Sequence, residues 1–165
     1  MPSDLMRQLG ALAFASRLKR LGDRLQRDVS RLYRAQEIDF QARWFPVAYL
    51  LQHQPSLSVT AIANRLGLTH VAVNQISEQM ARRGLLMSKR DHKDKRRRLL
   101  SLTPKGRKTV ASLRTLWRSI EKCTRKMIES SGHDILAGMI EIEKALDRRD
   151  MYDQVTSDME HEKQP

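Results

Sequence analysis

Cysteine is nearly absent from this sequence. Cys123 is the only one, so no intrachain disulfide can form, and a reducing cytoplasm is the economical expectation. Long apolar runs are missing too. The nearest approach to one, Leu9 to Ala15, is far short of a membrane span and at the short end for the core of a signal sequence. Basic residues resume at Arg17 on the same helical period, which places the stretch in a helix. The histidines, His53, His70, His92, His133 and His161, have no metal-ligand spacing. Neither a glycine-rich phosphate loop nor a nucleophile elbow is present. The expectation is a protein that is not an enzyme, with no metal, no cofactor and no membrane anchor.

Acidic residues are also in short supply, 19 against 31 Lys and Arg, for a formal net charge of +12. Such a balance attracts polyanions, either nucleic acid or an anionic membrane surface. Position discriminates between the two. Residues 82–108 hold twelve basic and two acidic side chains, whereas residues 44–81 carry only Arg65 against Glu78 and residues 141–165 sum to −4. A polybasic membrane anchor flanks an apolar or lipidated segment, and none accompanies this run. The concentration favours a nucleic-acid surface.

What the sequence does have is helical periodicity. Leu5, Leu9 and Leu12, then Leu18, Leu21, Leu25, Val29 and Leu32, recur on one face with Arg and Asp opposite. This predicts a long amphipathic helix, or two with a break near Gly10 or Gly22, with Ser3-Asp4 at the start. Its stripe needs a partner, within the chain or in a second copy. Phe40, Trp44, Phe45 and Tyr49 gather half of the aromatic residues just after it. They read as a core junction with the following module, with an aromatic-walled ligand pocket around Trp44 and Tyr49 as the sharper alternative. Pro46 suits the first turn of a helix through Gln52.

Residues 57–106 carry the most specific pattern. Ser58 or Thr60 caps a helix through Leu66, and Gly67 supplies a left-handed stop. Thr69 caps a second helix, His70 to Arg83, stopped by Gly84. The two helices and the Gly-Leu-Thr turn have the layout of a helix-turn-helix, with Ala63 at the close crossing and Val73 in the shared core. At 100° per residue Val73, Ile76 and Met80 point inward. Val71, Asn74, Gln75, Glu78 and Arg82 then face outward, with His70 near the start. Asn and Gln amides suit adenine N6 and N7, and a valine methyl suits a thymine methyl. Leu85–Ser88 and Leu99–Leu102 read as paired strands. The basic turn between them has no fold-level reason to concentrate like charges, which a phosphate backbone would neutralise with counterion release. Thr103 and Pro104 open a further helix with Val110, Leu113, Leu116, Trp117, Ile120, Met127 and Ile128 inward. Ser131-Gly132-His133 breaks it, and Asp134 caps a helix containing Ile135, Met139, Ile142 and Leu146. Within that pattern Cys123 is expected as a buried, inert thiol. Residues 151–165 are polar and acidic, and composition predicts a flexible tail.

Asp94-Lys95-Arg96, then Leu100-Ser101-Leu102-Thr103 and Pro104-Lys105-Gly106, resemble the D-x-R-x-x-x-L-x-L-T-x-x-G wing motif of the MarR family of bacterial transcriptional regulators. The upstream LGLTHVAVNQISEQMARRGLL resembles that family's reading helix and first strand. The opening also resembles a subgroup fused to a GNAT acetyltransferase, but too few residues follow 150 for such a domain and that activity is not carried over. One departure is Ser88, where many relatives have arginine before the wing, with Lys89 or Arg90 left to compensate.

The resemblance implies a mainly α fold with a small β-hairpin. This is a winged helix-turn-helix with N- and C-terminal dimerisation helices, about 3–43 and 104–149, around a DNA-binding module of about 44–106. It implies a homodimer on a pseudo-palindromic operator in double-stranded DNA, with helix 70–83 in the major groove and the wing, 90–98, at the minor groove. The DNA-binding residues would be Thr69, His70, Val71, Asn74, Gln75, Arg82, Lys93, Asp94, Lys95, Arg96 and Arg97. A small-molecule effector would sit near Trp44 and Tyr49. The alternative function is non-specific, architectural binding of nucleic acid.

Overall fold

The structure, a computed structural model, describes residues 4–90 and 97–161. The chain is mainly helical with one small antiparallel sheet, and it forms two compact units, residues 1–116 and 117–165.

In the first unit, α1 (Leu5–Gln8) starts at Asp4, whose carboxylate accepts from the Met6 N–H at 3.2 Å. The Arg20 guanidinium meets the same carboxylate at 2.8 and 3.1 Å and holds it below its ordinary value. The expected helix break falls at Gly10, where φ is +54°, and not at Gly22. A 3₁₀ turn (Gly10–Ala13) leads into α2 (Phe14–Ala35). At its end Glu37 takes φ of +54°, and the Ile38 N–H donates to the Tyr33 carbonyl at 2.9 Å. This is a Schellman stop built on a residue that is not glycine.

Tyr33, Phe40 and Trp44 then stack edge to face, with ring centroids 5.2 and 5.6 Å apart, and all three are buried. The aromatic cluster is a core junction at these positions. Trp44 ends a 3₁₀ turn (Ala42–Trp44) before α3 (Phe45–His53), which has Pro46 in its first turn.

The reader follows the expected caps. Ser58 Oγ accepts from the Ala61 N–H at 3.1 Å to start α4 (Val59–Leu66), and Gly67 ends it in the left-handed region, φ +61°. Thr69 Oγ1 accepts from the Ala72 N–H at 3.1 Å to start α5 (His70–Arg82). Ile62, Ala63, Val73 and Met80 are fully or almost fully buried in the core of this unit. The sheet has a strand that the residue pattern did not suggest. β1 (Leu57–Ser58) pairs with β3 (Arg98–Leu102), which also pairs with β2 (Leu86–Arg90), in the order β1-β3-β2. Two residues are too few to display an alternation, and β1 is visible only through its partner, with Leu57 opposite Leu100.

α6 (Pro104–Glu129) is fastened to the sheet and to the end of α5 by its first turn. Thr103 Oγ1 accepts from the Gly106 N–H at 2.9 Å and donates to the Gly84 carbonyl at 2.6 Å. Lys105 Nζ donates to the Arg83 carbonyl at 2.9 Å, and Arg107 to the Leu102 carbonyl at 2.7 Å. A Cβ on Gly106 would lie 2.0 Å from the Leu85 carbonyl oxygen, so no larger residue fits without moving the backbone.

The second unit contains the rest of α6, then α7 (Ile135–Arg148), capped by Asp134 at 2.9 Å from the Ala137 N–H, and α8 (Met151–His161). α8 corrects the expectation of a flexible tail over its length. Asp150 caps it, accepting from the Asp153 N–H at 2.8 Å, and Met151, Val155 and Met159 recur at helical spacing. Charge composition hid that period. Cys123 is also corrected: it is exposed, on the outer face of α6. No helix among the described residues is long and apolar enough to cross a membrane.

Both units leave apolar stripes uncovered in the single chain. Leu18, Leu21, Leu25 and Leu32 of α2 are 37–54% exposed. On α7, Leu136, Met139, Ile140 and Leu146 are exposed to a similar degree.

Candidate nucleic-acid interface

α5 presents its polar face to solvent. His70, Asn74, Gln75, Glu78 and Arg82 are exposed, and Val71 is 64% exposed although apolar. The opposite face is fixed by burial of Val73, Ile76 and Met80, so the outward residues are held in register by the core. Ser77, polar and buried, donates to the Val73 carbonyl at 2.6 Å and costs the helix no unpaired group. Thr69 satisfies one N–H of the first turn, and that turn carries no acidic side chain. The positive end of the helix is therefore open to a phosphate.

Beside it the hairpin brings basic side chains together. Lys89, Arg90, Arg97 and Arg98 are exposed at the outer ends of β2 and β3. Arg90 lies directly opposite Arg98 in the ladder, a like-charge pair that opposes folding and that a polyanion would relieve. Arg98 is a functional candidate that the sequence pattern did not single out. Its Nε donates to Ser88 Oγ at 3.1 Å, so the serine that departs from the family pattern orients an arginine from the neighbouring strand. Only the strand register, with Ser88 opposite Leu100 and Arg90 opposite Arg98, reveals that relation. Lys93, Asp94, Lys95 and Arg96 lie outside the described residues.

Trp44 and Tyr49 are not brought into one cavity. Trp44 is 1% exposed, and its indole N–H donates to Gln79 Oε1 of α5 at 3.1 Å. Tyr49 sits on the outer face of α3, half exposed, with its ring 5.5 Å from Phe45 and 4.8 Å from His53. Among the described residues no group of three or more His, Cys, Asp or Glu side chains is placed to hold a metal ion.

No curated protein matches the chain at a significant level. The family model described as MarR family matches residues 38–97. Among solved structures, the chain is similar to a MepR–DNA complex of S. aureus, with a TM-score of 0.67, 19% identity, and coverage of 81% of this chain and 98% of that one. It is also similar to the M. tuberculosis transcriptional regulator MosR in complex with DNA, with a TM-score of 0.68, 19% identity and coverage of 82% and 96%. A third, the transcriptional repressor CouR bound to a 23-mer DNA duplex, has a TM-score of 0.64, 26% identity and coverage of 82% and 96%. The fold these comparisons share with the chain is the winged helix-turn-helix, and residues 38–97, its reader and the start of its wing, belong to the MarR family.

Proposed function

We propose that the chain is a transcriptional regulator that binds DNA sequence-specifically in the cytoplasm, as a homodimer on a pseudo-palindromic operator. α5 enters the major groove, with Val71, Asn74 and Gln75 reading bases. The wing, 90–98, lies along the adjacent minor groove, with Arg96 inserted and Lys93, Lys95 and Arg97 on phosphates. The observation that carries this reading is the juxtaposition on one unit of an exposed amide-bearing helix face and a hairpin whose ends hold Lys89, Arg90 and Arg98. Relatives of the same fold in complex with DNA support it. The uncovered leucine stripe of α2 supports the homodimer, because contiguous apolar surface of this kind marks an interface. Release by a small-molecule ligand rests on the family resemblance.

The test uses the duplex that the wild-type protein selects. Arg96→Ala weakens binding at least about tenfold, while Asn74→Ala or Gln75→Ala relaxes base preference with a smaller loss of affinity. The second reading, a non-specific architectural protein, draws on the hairpin charge, which ignores base identity. Equal affinity for the selected duplex and a scrambled one, at matched salt, would favour it and overturn the first.

A further inference from the structure

α2 has a second face. Arg27, Arg31 and Arg34 lie at i, i+4 and i+7, about 180° around the helix from the leucine stripe at 100° per residue, so a partner on that stripe leaves them uncovered. With the 36–43 loop they line an open cleft of about 760 Å³, within the size range of small-molecule sites. Arg43 reaches it from the loop, over a floor that includes Ile38 and the buried Phe40. Trp44 and Tyr49 are not part of it.

The charges of the cleft are unequally satisfied. Each of its carboxylates already has a cation: Asp23 meets Lys19 at 2.9 Å, Asp28 meets Arg31 at 3.6 Å, and Asp39 meets Arg83 at 3.0 Å. Arg27 and Arg34 have no acidic partner among the described residues, and Arg43 donates only to the neutral Gln41 Oε1, at 2.9 Å. Three guanidinium groups therefore point at one concavity without a counter-charge. Their planar forks match carboxylate or phosphate oxygens two at a time.

The loop that forms one wall also touches the recognition helix. Asp39 holds Arg83 at the end of α5, and Trp44, which closes the loop, bonds Gln79 in its last turns. Ser30 Oγ accepts from the Ala42 N–H at 3.3 Å and ties the loop back to α2. An anion in the cleft adds negative charge beside Asp39 and competes with Gln41 for Arg43. Both effects alter contacts through which the loop meets α5.

We propose that this cleft binds a small organic dianion, gripped by Arg27 and Arg34 from α2 and by Arg43 from the loop. Its occupancy weakens DNA binding through the Asp39–Arg83 and Trp44–Gln79 contacts. The second half of the proposal rests on the DNA-binding reading given above; the first does not.

The experiment titrates the full-length protein, without DNA and at constant ionic strength, with phthalate, citrate and inorganic phosphate, by calorimetry and thermal shift. Saturable binding of at least one organic dianion is expected, with a Kd of about 1 mM or tighter, lost in Arg27→Gln/Arg34→Gln. That variant keeps wild-type affinity for the selected duplex when no anion is present. In the wild type the bound dianion lowers duplex affinity about fivefold or more, and Asp39→Asn keeps anion binding but loses this coupling. Binding of none of the probes, of phosphate alone, or undiminished binding in the double variant overturns the site. A drop in duplex affinity of the double variant without anion also overturns it, because the ridge then contacts DNA. A protein that binds the dianion and no duplex retains the site and refutes the DNA-binding reading instead.

Discussion

α2 and α5 are both amphipathic helices, and the difference between them separates the tasks of the molecule. The apolar side of α5 is covered by its own chain: Val73 and Met80 are fully buried and Ile76 nearly so. What remains outside is a short row of groups suited to base edges, displayed at a fixed angle. The apolar side of α2 is not covered. Leu18, Leu21, Leu25 and Leu32 remain 37–54% exposed, although the helix is 22 residues long and its polar side is as charged as that of any surface helix. A stripe of that length on a water-facing helix is stable only when a partner covers it. α5 is therefore complete within one chain, and α2 is completed by a second.

Substitutions that break this comparison rank by size. The largest effect is expected from Leu21→Glu with Leu25→Glu. Burying each leucine is worth about 1.5–3 kcal/mol, and a two-fold interface loses each twice, so self-association measured by ultracentrifugation weakens by more than about 100-fold. Circular dichroism of the separated chain stays close to wild type, because these residues support no core within it. Met80→Ala on α5 has the opposite profile. It removes a side chain with no exposure and costs about 2–5 kcal/mol in denaturant unfolding, whatever the protein concentration. Gly106→Ala tests the clamp below α5. The new methyl collides with the Leu85 backbone, and a loss of about 1–3 kcal/mol is expected in the same measurement. The smallest change is a gain. Glu37 holds a left-handed conformation that glycine adopts without strain, so Glu37→Gly raises stability by about 1 kcal/mol, read as a higher denaturant midpoint.

The same contrast explains how far the sequence could be read. Caps and stops are local chemistry, and Ser58, Thr69, Gly67, Gly84 and Asp134 act as their residue types suggest. The buried face of α5 follows from a period that one helix sets alone. Relations between distant segments were hidden. β1 exists only because Leu57 meets Leu100, and the Ser88–Arg98 bond only because the hairpin register brings them together. The end of the wing motif, Thr103 to Gly106, reads as part of a DNA-binding signature, yet Thr103 and Gly106 make their contacts to Gly84 and Leu85 of their own chain. Their residue types are required by packing, and the groups offered to DNA lie elsewhere in the motif. Trp44 was misleading in the same way: it offers an aromatic wall on paper and is enclosed against Gln79 in the fold. α8 was missed because charge was weighed above a stripe of four-residue steps.

The division of labour between α5 and α2 makes one joint demand, that a base-reading face be presented twice at a spacing set by the leucine stripe. Selection of bound duplexes from a random pool, at fixed salt, measures both parts together. The account predicts an enriched inverted repeat with half-sites centred about 10 base pairs, one helical turn, apart, A/T-rich where the wing lies, and lost as a paired motif in the Leu21→Glu, Leu25→Glu protein. Enrichment of no motif, or of a single half-site by the wild-type protein, would contradict it.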